Sequence, residues 1–423
     1  MVDHIDTASM SAPIPNQKHS LPKETTQYLH QVLQRYQDSL MRDIIPFWMH
    51  HGADLTRGGV TNCLDERGQV ISTEKYIWSQ GRFLWTLSAL LNWVERRPEW
   101  LELATRTASF LLKHGREKSG AWRYSVTQDG LPSKGPCSLY ADAFAILGLT
   151  EYARATGDSV AAQAGLEGFA RICSLLKNHA LVPTTPHQIP LGFQAHGPSM
   201  IFALVFYELG TLTGESRVMR KAVELAETVV NQHLKVKDRV LYEFVRAGGG
   251  INTSGPGGTV IAGHAIESSW ILERIFAGAG KEEHIPVLME SILWHLERGW
   301  DQEFGGILLA QHISGGEPSW HQPDAKVWWP HTEAIYALLR AYAVTRDERF
   351  LEWHKRVDDY TWRVFPDRVN GEWKQNRDRQ GNPVPVVAKA LPVKDPFHLP
   401  RTLIYSMLTL RQLITAPDIA SGR

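Results

Sequence analysis

Apolar residues recur along this chain at helical spacing, in stretches of several turns separated by short polar breaks. The first stretch runs from about 25 to 50 and stops at Gly52, and the second from about 73 to 97. Others follow at 98–115, 138–156, 158–178, 197–213, 215–235, 263–278, 282–298, 326–344, 347–364 and 398–413. A period near 3.6 predicts a helix for each. The stretches 138–156 (Ala141, Phe144, Ala145, Leu147, Leu149) and 197–213 (Met200, Ile201, Ala203, Leu204, Val205) are apolar nearly all round. That pattern suits helices covered on every side.

The breaks are patterned too. Asp54 with Arg57-Gly58-Gly59, and Asp65 to Gly68, flank the apolar run 60–64, which predicts a short hairpin. Ser119 to Trp122, Asp301 to Gly306 and Asp367 to Trp373 give the same signal between helix pairs. The second helix of each pair starts near 75, 138, 197, 263, 327 and 398. This repeat of roughly 60 to 70 residues marks units that cannot bury their faces alone. Six pairs favour closure over an open stack, so the expected fold is all-α: an (α/α)6 barrel, or toroid, with short β-hairpins between helix pairs. An open solenoid of fewer repeats is the alternative, but neither end carries a polar capping repeat. The expected organisation is a flexible N-terminal lead at 1–22, one barrel domain at 23–415 and a C-terminal tail at 416–423.

Composition narrows the function. With 45 basic and 45 acidic side chains the net charge is zero, which argues against nucleic acid as a partner. The apolar runs are too short for a membrane span. Three cysteines provide no disulfide framework or metal-ligand spacing, and the N-terminus shows no signal pattern, so a soluble, cytoplasmic protein is expected. Fifteen tryptophans and twelve tyrosines mostly fill the core, but such a load also suits a sugar site, where a ring packs on the C–H face of a pyranose.

The candidate chemistry lies at the starts of the second helices. They carry Tyr76, Trp78, Gln80 and Arg82; Ser138, Tyr140 and Asp142; His196 and Ser199; His264 and Glu267; Lys326 to Glu333, including Trp328, Trp329 and His331; and His398 with Arg401. In a toroid these starts converge on one mouth, where helix dipoles add positive potential. The chain has no Gly-x-Ser-x-Gly elbow, His-Glu-x-x-His pair or phosphate loop, so no metal or cofactor is expected. The glycine-rich run 248–258 reads as a mobile loop near the pit. Asp142, Glu267 and Glu333 could serve a glycosidase, although Asp142 also reads as a residue paired within its helix. Two facing histidines instead suit proton transfer beside a carbonyl, with Glu267 orienting His264, Glu333 orienting His398, and Arg82 stabilising the developing oxyanion. His50, His51 and His295 read as surface residues, and only one of Trp328 and Trp329 is expected to face the pit.

The blocks Lys75-Tyr76-Ile77-Trp78-Ser79-Gln80-Gly81-Arg82, Gly263-His264-Ala265-Ile266-Glu267, Gly299-Trp300-Asp301, Lys326 to Ala334 and Phe397-His398-Leu399-Pro400-Arg401 together resemble the N-acylglucosamine 2-epimerase family, which includes renin-binding protein. The resemblance spans about residues 25 to 413. It implies an (α/α)6 barrel, epimerisation at C2 of a ring-opened sugar without a cofactor, and a homodimer. It also implies that His264 and His398 are the acid/base pair and that Arg82, Glu267, Trp329 and Glu333 line the site. Tyr76, Lys326, His331 and Arg401, from the same blocks, are further substrate-binding candidates, with a structural role as the alternative. Trp-Trp-Pro-His and the Phe-His-Leu-Pro-Arg ending resemble the N-acylglucosamine branch. Ala262-Gly263-His264 and Lys394-Asp395-Pro396 depart from it, in place of Pro-Gly-His and a glycine-rich segment. A mannose or cellobiose 2-epimerase, an aldose–ketose isomerase, and a non-catalytic binding protein on the same fold are the alternatives.

Overall fold

The computed structural model describes residues 21–177, 182–384 and 388–415. Most of the expected N-terminal lead, and the whole C-terminal tail, lie outside these residues. Twelve helices are formed among the described residues. Helix α1 (Lys23–Ser39) continues through a π-helical turn, Leu40–Ile44, into Ile45–His51. The others are α2 (Ile77–Trp93), α3 (Pro98–His114), α4 (Leu139–Thr156), α5 (Ser159–Leu175) and α6 (His196–Thr213). Then come α7 (Ser216–Thr228, extended by the π turn Val229–His233), α8 (Ala262–Gly278), α9 (Ile285–Gly299), α10 (Trp328–Thr345), α11 (Glu348–Val364) and α12 (His398–Thr415).

The even-numbered helices form the inner ring. Each packs on the next, and α12 returns to α2. Nearly every residue of α2 and α4 is buried, whereas α11 buries only the stripe from Phe350 to Thr361 and turns its charges outward. The architecture is an (α/α)6 barrel. Helices α2 and α4 touch backbone to backbone: a Cβ on Gly148 would lie 2.2 Å from the Gly81 carbonyl oxygen, so neither helix could approach as closely with a side chain there.

The strands do more than the expected hairpins. A short extended segment leads into each inner helix and pairs with the loop of the following repeat. Lys75–Tyr76 pairs with Ser125–Val126, Ser138 with Thr184, Gln194–Ala195 with Phe244–Val245, and Thr259–Val260 with Gln311–His312. Lys326–Val327 pairs with Asn376–Arg377, and Ala388–Ala390 pairs back onto Cys63–Asp65 of the first repeat. Six antiparallel links thus run round one face and close on themselves.

The links explain why the inner helices start without side-chain caps. The first helical N–H is instead taken by a carbonyl of the neighbouring repeat. Ile77 donates to Tyr124 (3.0 Å), Leu139 to Pro183 (2.8 Å), His196 to Glu243 (3.2 Å) and Trp328 to Gln375 (3.1 Å). Side chains in the first turn are left available for the mouth. The glycine-rich run forms two 3-10 turns, Ala247–Gly249 and Gly255–Gly258, that feed the strand ahead of α8. Its residues are absent from the lining of the central cavity, unlike the expected loop at the pit.

Candidate active site

A cavity of about 440 Å³ opens at the mouth where the inner helices start. Its walls are aromatic, with Trp78, Tyr140, Phe144, Phe244, Trp328 and Trp329, and its polar groups include Arg82, Glu243, His264, Glu267 and His398. Trp329 touches both histidines: its ring centroid lies 4.9 Å from that of His264 and 6.0 Å from that of His398.

Each imidazole is held by a carboxylate, but the two environments differ. His264 Nδ1 lies 3.0 Å from Glu243 Oε2. Burial alone would depress His264, yet the charge and hydrogen bond of Glu243, helped by Glu267 and Glu333, hold it above the usual histidine value. Glu243 answers in kind. Burial would raise it, but His264 and His196 bring it down to about 2. His398 Nδ1 donates to Glu333 Oε1 at 2.8 Å. Here burial and the nearby Arg82 charge win, and His398 lies well below its usual value. In both rings Nδ1 is engaged, which leaves Nε2 for the cavity. Arg82 Nη2 stands 3.5 Å from His398 Nε2, and the guanidinium lies over the Phe144 ring at 3.8 Å and within 3.4 Å of Asp395. The two imidazoles therefore differ in proton affinity, and a cation stands beside the less basic one.

Glu267, Glu333 and His398 bring three potential ligand atoms within 4.8 Å of one another. Arg401 already occupies that spot, with Nη2 at 2.6 Å from Glu267 Oε1 and 2.7 Å from Glu333 Oε1. Trp270 Nε1 donates to the other oxygen of Glu333 at 3.0 Å. A guanidinium thus supplies the positive charge that these carboxylates need.

This arrangement can be set beside known proteins. The model of the N-acylglucosamine 2-epimerase (GlcNAc 2-epimerase) family matches residues 58–399. The chain belongs to that family. N-acylglucosamine 2-epimerase of Bos taurus is 30% identical over 405 residues, covering 93% of this chain and 95% of the relative. Cellobiose 2-epimerase of Bacteroides fragilis is 24% identical over 374 residues, 80% of this chain and 89% of the relative. In three dimensions the cellobiose 2-epimerase of Spirochaeta thermophila superposes with a TM-score of 0.79 at 22% identity, covering 93% of this chain and all of its own.

Within this family member, Arg82, His264, Glu267, Trp329 and His398 line the cavity as the sequence reading expected, with Glu333 and Arg401 directly behind them. The partner of His264 differs from the expectation. It is Glu243, and Glu267 turns instead to Arg401. Trp328 and Trp329 both line the cavity, because a helix's first turn splays its side chains towards the mouth. Tyr76 packs edge-on against Tyr124, and Trp78 takes the wall. Asp142 pairs with Arg171 of α5 at 2.7 Å and stays outside the cavity, which removes one of the three carboxylates a glycosidase could have used.

Lys326 and His331 also point away from it. The Lys326 ammonium is buried on Asp301 Oδ2 (3.1 Å) and the Gly305 carbonyl. Lys75 does the same with Asp54 and Gly58, and Lys389 with Asp367 and Gly371. Each time, the other aspartate oxygen accepts N–H groups of its own turn. The lysine of the lead segment thus locks onto the turn after the preceding outer helix. His331 Nε2 accepts the Ile307 N–H (2.9 Å) while Nδ1 donates to the Val327 carbonyl, and burial pushes its pKa down to about 3. His295, expected at the surface, is buried in the same way between Leu241 and Ser291. Replacing Lys326 by methionine should therefore lower Tm and leave KM within about twofold, since removing one partner of a buried ion pair acts on stability. A raised KM at unchanged Tm would return Lys326 to the substrate site.

Proposed function

We propose that this chain is a cofactor-free sugar 2-epimerase interconverting an N-acylglucosamine and the corresponding N-acylmannosamine. The observation that carries this reading is the pair of imidazoles in one aromatic cavity, one with its pKa raised by Glu243 and the other with its pKa depressed by burial and Arg82. In the ring-opened sugar the C1 carbonyl acidifies the C2–H bond. One histidine takes that proton, the bond's electron pair forms C1=C2, and the carbonyl electrons move onto O1, where Arg82 compensates the charge. The other histidine returns a proton to C2 on the opposite face, and the carbonyl re-forms. Higher identity to N-acylglucosamine 2-epimerases than to cellobiose 2-epimerases supports the acylated substrate.

The test is incubation in deuterated water with N-acetylglucosamine, N-acetylmannosamine, mannose, glucose and cellobiose in turn. Deuterium at C2 together with inversion of the two acylated sugars is expected. Ketose formation would make the chain an isomerase, and no C2 deuterium from any sugar would end the two-histidine reading. In the direction in which His398 is the base, catalysis needs His264 charged and His398 neutral; the reverse direction needs the same single proton on the other ring. Activity should therefore fall above the raised pKa of His264 and below the depressed pKa of His398, so the alkaline limb lies above the ordinary histidine value and the acid limb below it.

A further inference from the structure

His196, the first residue of α6, has no part in the mechanism above, yet its surroundings are unusual. The side chain is fully buried, and neither ring nitrogen makes a full hydrogen bond, its polar surroundings being the backbone of Glu243 and His264 and the Glu243 carboxylate. A buried polar side chain left unsatisfied is destabilising and rare in folded proteins. Phenylalanine or methionine would fill such a position without that penalty.

Its neighbours give the ring a use. His196 Nδ1 lies 3.8 Å from Glu243 Oε2, the same oxygen that His264 Nδ1 reaches at 3.0 Å. The His196 ring stands edge-on to His264, with centroids 6.1 Å apart and planes at 85°. The two backbones are fixed in register. His196 N–H donates to the Glu243 carbonyl at 3.2 Å, and Gln194–Ala195 pairs with Phe244–Val245. A small swing of the Glu243 side chain is enough to bring its carboxylate within reach of His196. On its far side His196 meets His233, whose Nδ1 is already engaged by the Tyr242 carbonyl at 2.9 Å.

We propose that His196 is a positioning residue, a second donor that Glu243 turns to once His264 has handed its proton to C2. Before transfer, the buried carboxylate is balanced by the His264 imidazolium. Afterwards it faces a neutral ring, and an uncompensated carboxylate in a buried site is costly. An N–H from His196, idle in the resting site, then meets the carboxylate when its first partner has lost its charge. The proton of His264 goes to C2 and is replaced through the cavity in the reverse transfer. His196 gains and loses no proton in the cycle. The ring without a full hydrogen bond is the resting state of a bond that forms as His264 gives up its proton, which stabilises the transition state of reprotonation more than the starting complex.

This inference rests on the two-histidine reading, and wild-type protein assayed in parallel separates the two. If the wild type puts no deuterium at C2, the reading itself fails. If it does, His196→Phe should show a raised Tm, a KM within about twofold of wild type, and a kcat lower by about 10- to 100-fold, the effect of one hydrogen bond to a charged group. His196→Gln, which keeps an N–H donor, should recover most of kcat, whereas His196→Met should not. Unchanged kcat in His196→Phe and His196→Met would overturn the proposal. So would a kcat loss that His196→Gln shares in full, because a purely structural role predicts no rescue by a donor.

Discussion

Replacing His398 by asparagine will lower turnover in both directions by about 10³- to 10⁴-fold, near the upper range for losing a positioned acid–base group, with sugar affinity changed only a few-fold. His264→Asn will do the same. The two variants should differ in what they retain. A single surviving imidazole still faces C2 from one side. In its neutral form it can exchange the C2 proton of the epimer that presents its C–H to that side, without inverting it, so His264, whose pKa is raised, should do so more slowly at lower pH. Each variant is therefore expected to incorporate deuterium into one epimer only, and the two variants into opposite ones. Proton NMR of both sugars in deuterated water reads this directly. Equal exchange of both epimers by either variant, or retained inversion, would rule out a base on each face.

Arg401→Met should be the most damaging substitution for the fold and the site together. One nitrogen of this guanidinium serves both Glu267 and Glu333, and the side chain is 2% exposed. Without it two buried carboxylates lose their cation, a change of about 3–5 kcal/mol in stability, read as a lowered Tm. The chemistry should move as well. Arg401 is one of the charges, after burial and Arg82, that keep His398 neutral. Removing a positive charge raises the His398 pKa, so the acid limb of the rate profile should shift to higher pH. Arg401→Lys should restore part of the stability, because a single ammonium replaces charge but not the fixed fork of the guanidinium. A Met variant with unchanged Tm and acid limb would show that the carboxylates find compensation elsewhere.

The barrel was legible because its inner helices are apolar on all sides and recur with one period. The mouth was legible for a related reason: each inner helix starts in register with the others, so His264, Glu267, Glu333, Arg82 and His398 had to meet if the ring closed. Glu243 was not found from pattern alone. It sits in a loop, and only the pairing of Phe244–Val245 with Gln194–Ala195 aims it at His264. Its register could have flagged it, since Tyr124 and Gln375 occupy the same place in other repeats, each accepting the first N–H of an inner helix. Lys326 misled in the opposite sense. It lies within the densest polar block, but the recurring Asp–Gly turn that captures Lys75 and Lys389 captures it too. A charged residue in a repeat can hold the repeat together rather than serve the ligand.

The seam between α12 and α2 has a consequence for the life of the chain. Arg82 meets His398 across 316 residues of sequence. At roughly 5–20 residues per second, a ribosome needs on the order of 15–60 s to pass from one to the other. For the whole of that interval the Arg82–His398 contact is missing, and the helix that carries His264 is itself made only on the way. The mouth is therefore complete only once α12 is made and closes the ring onto α2.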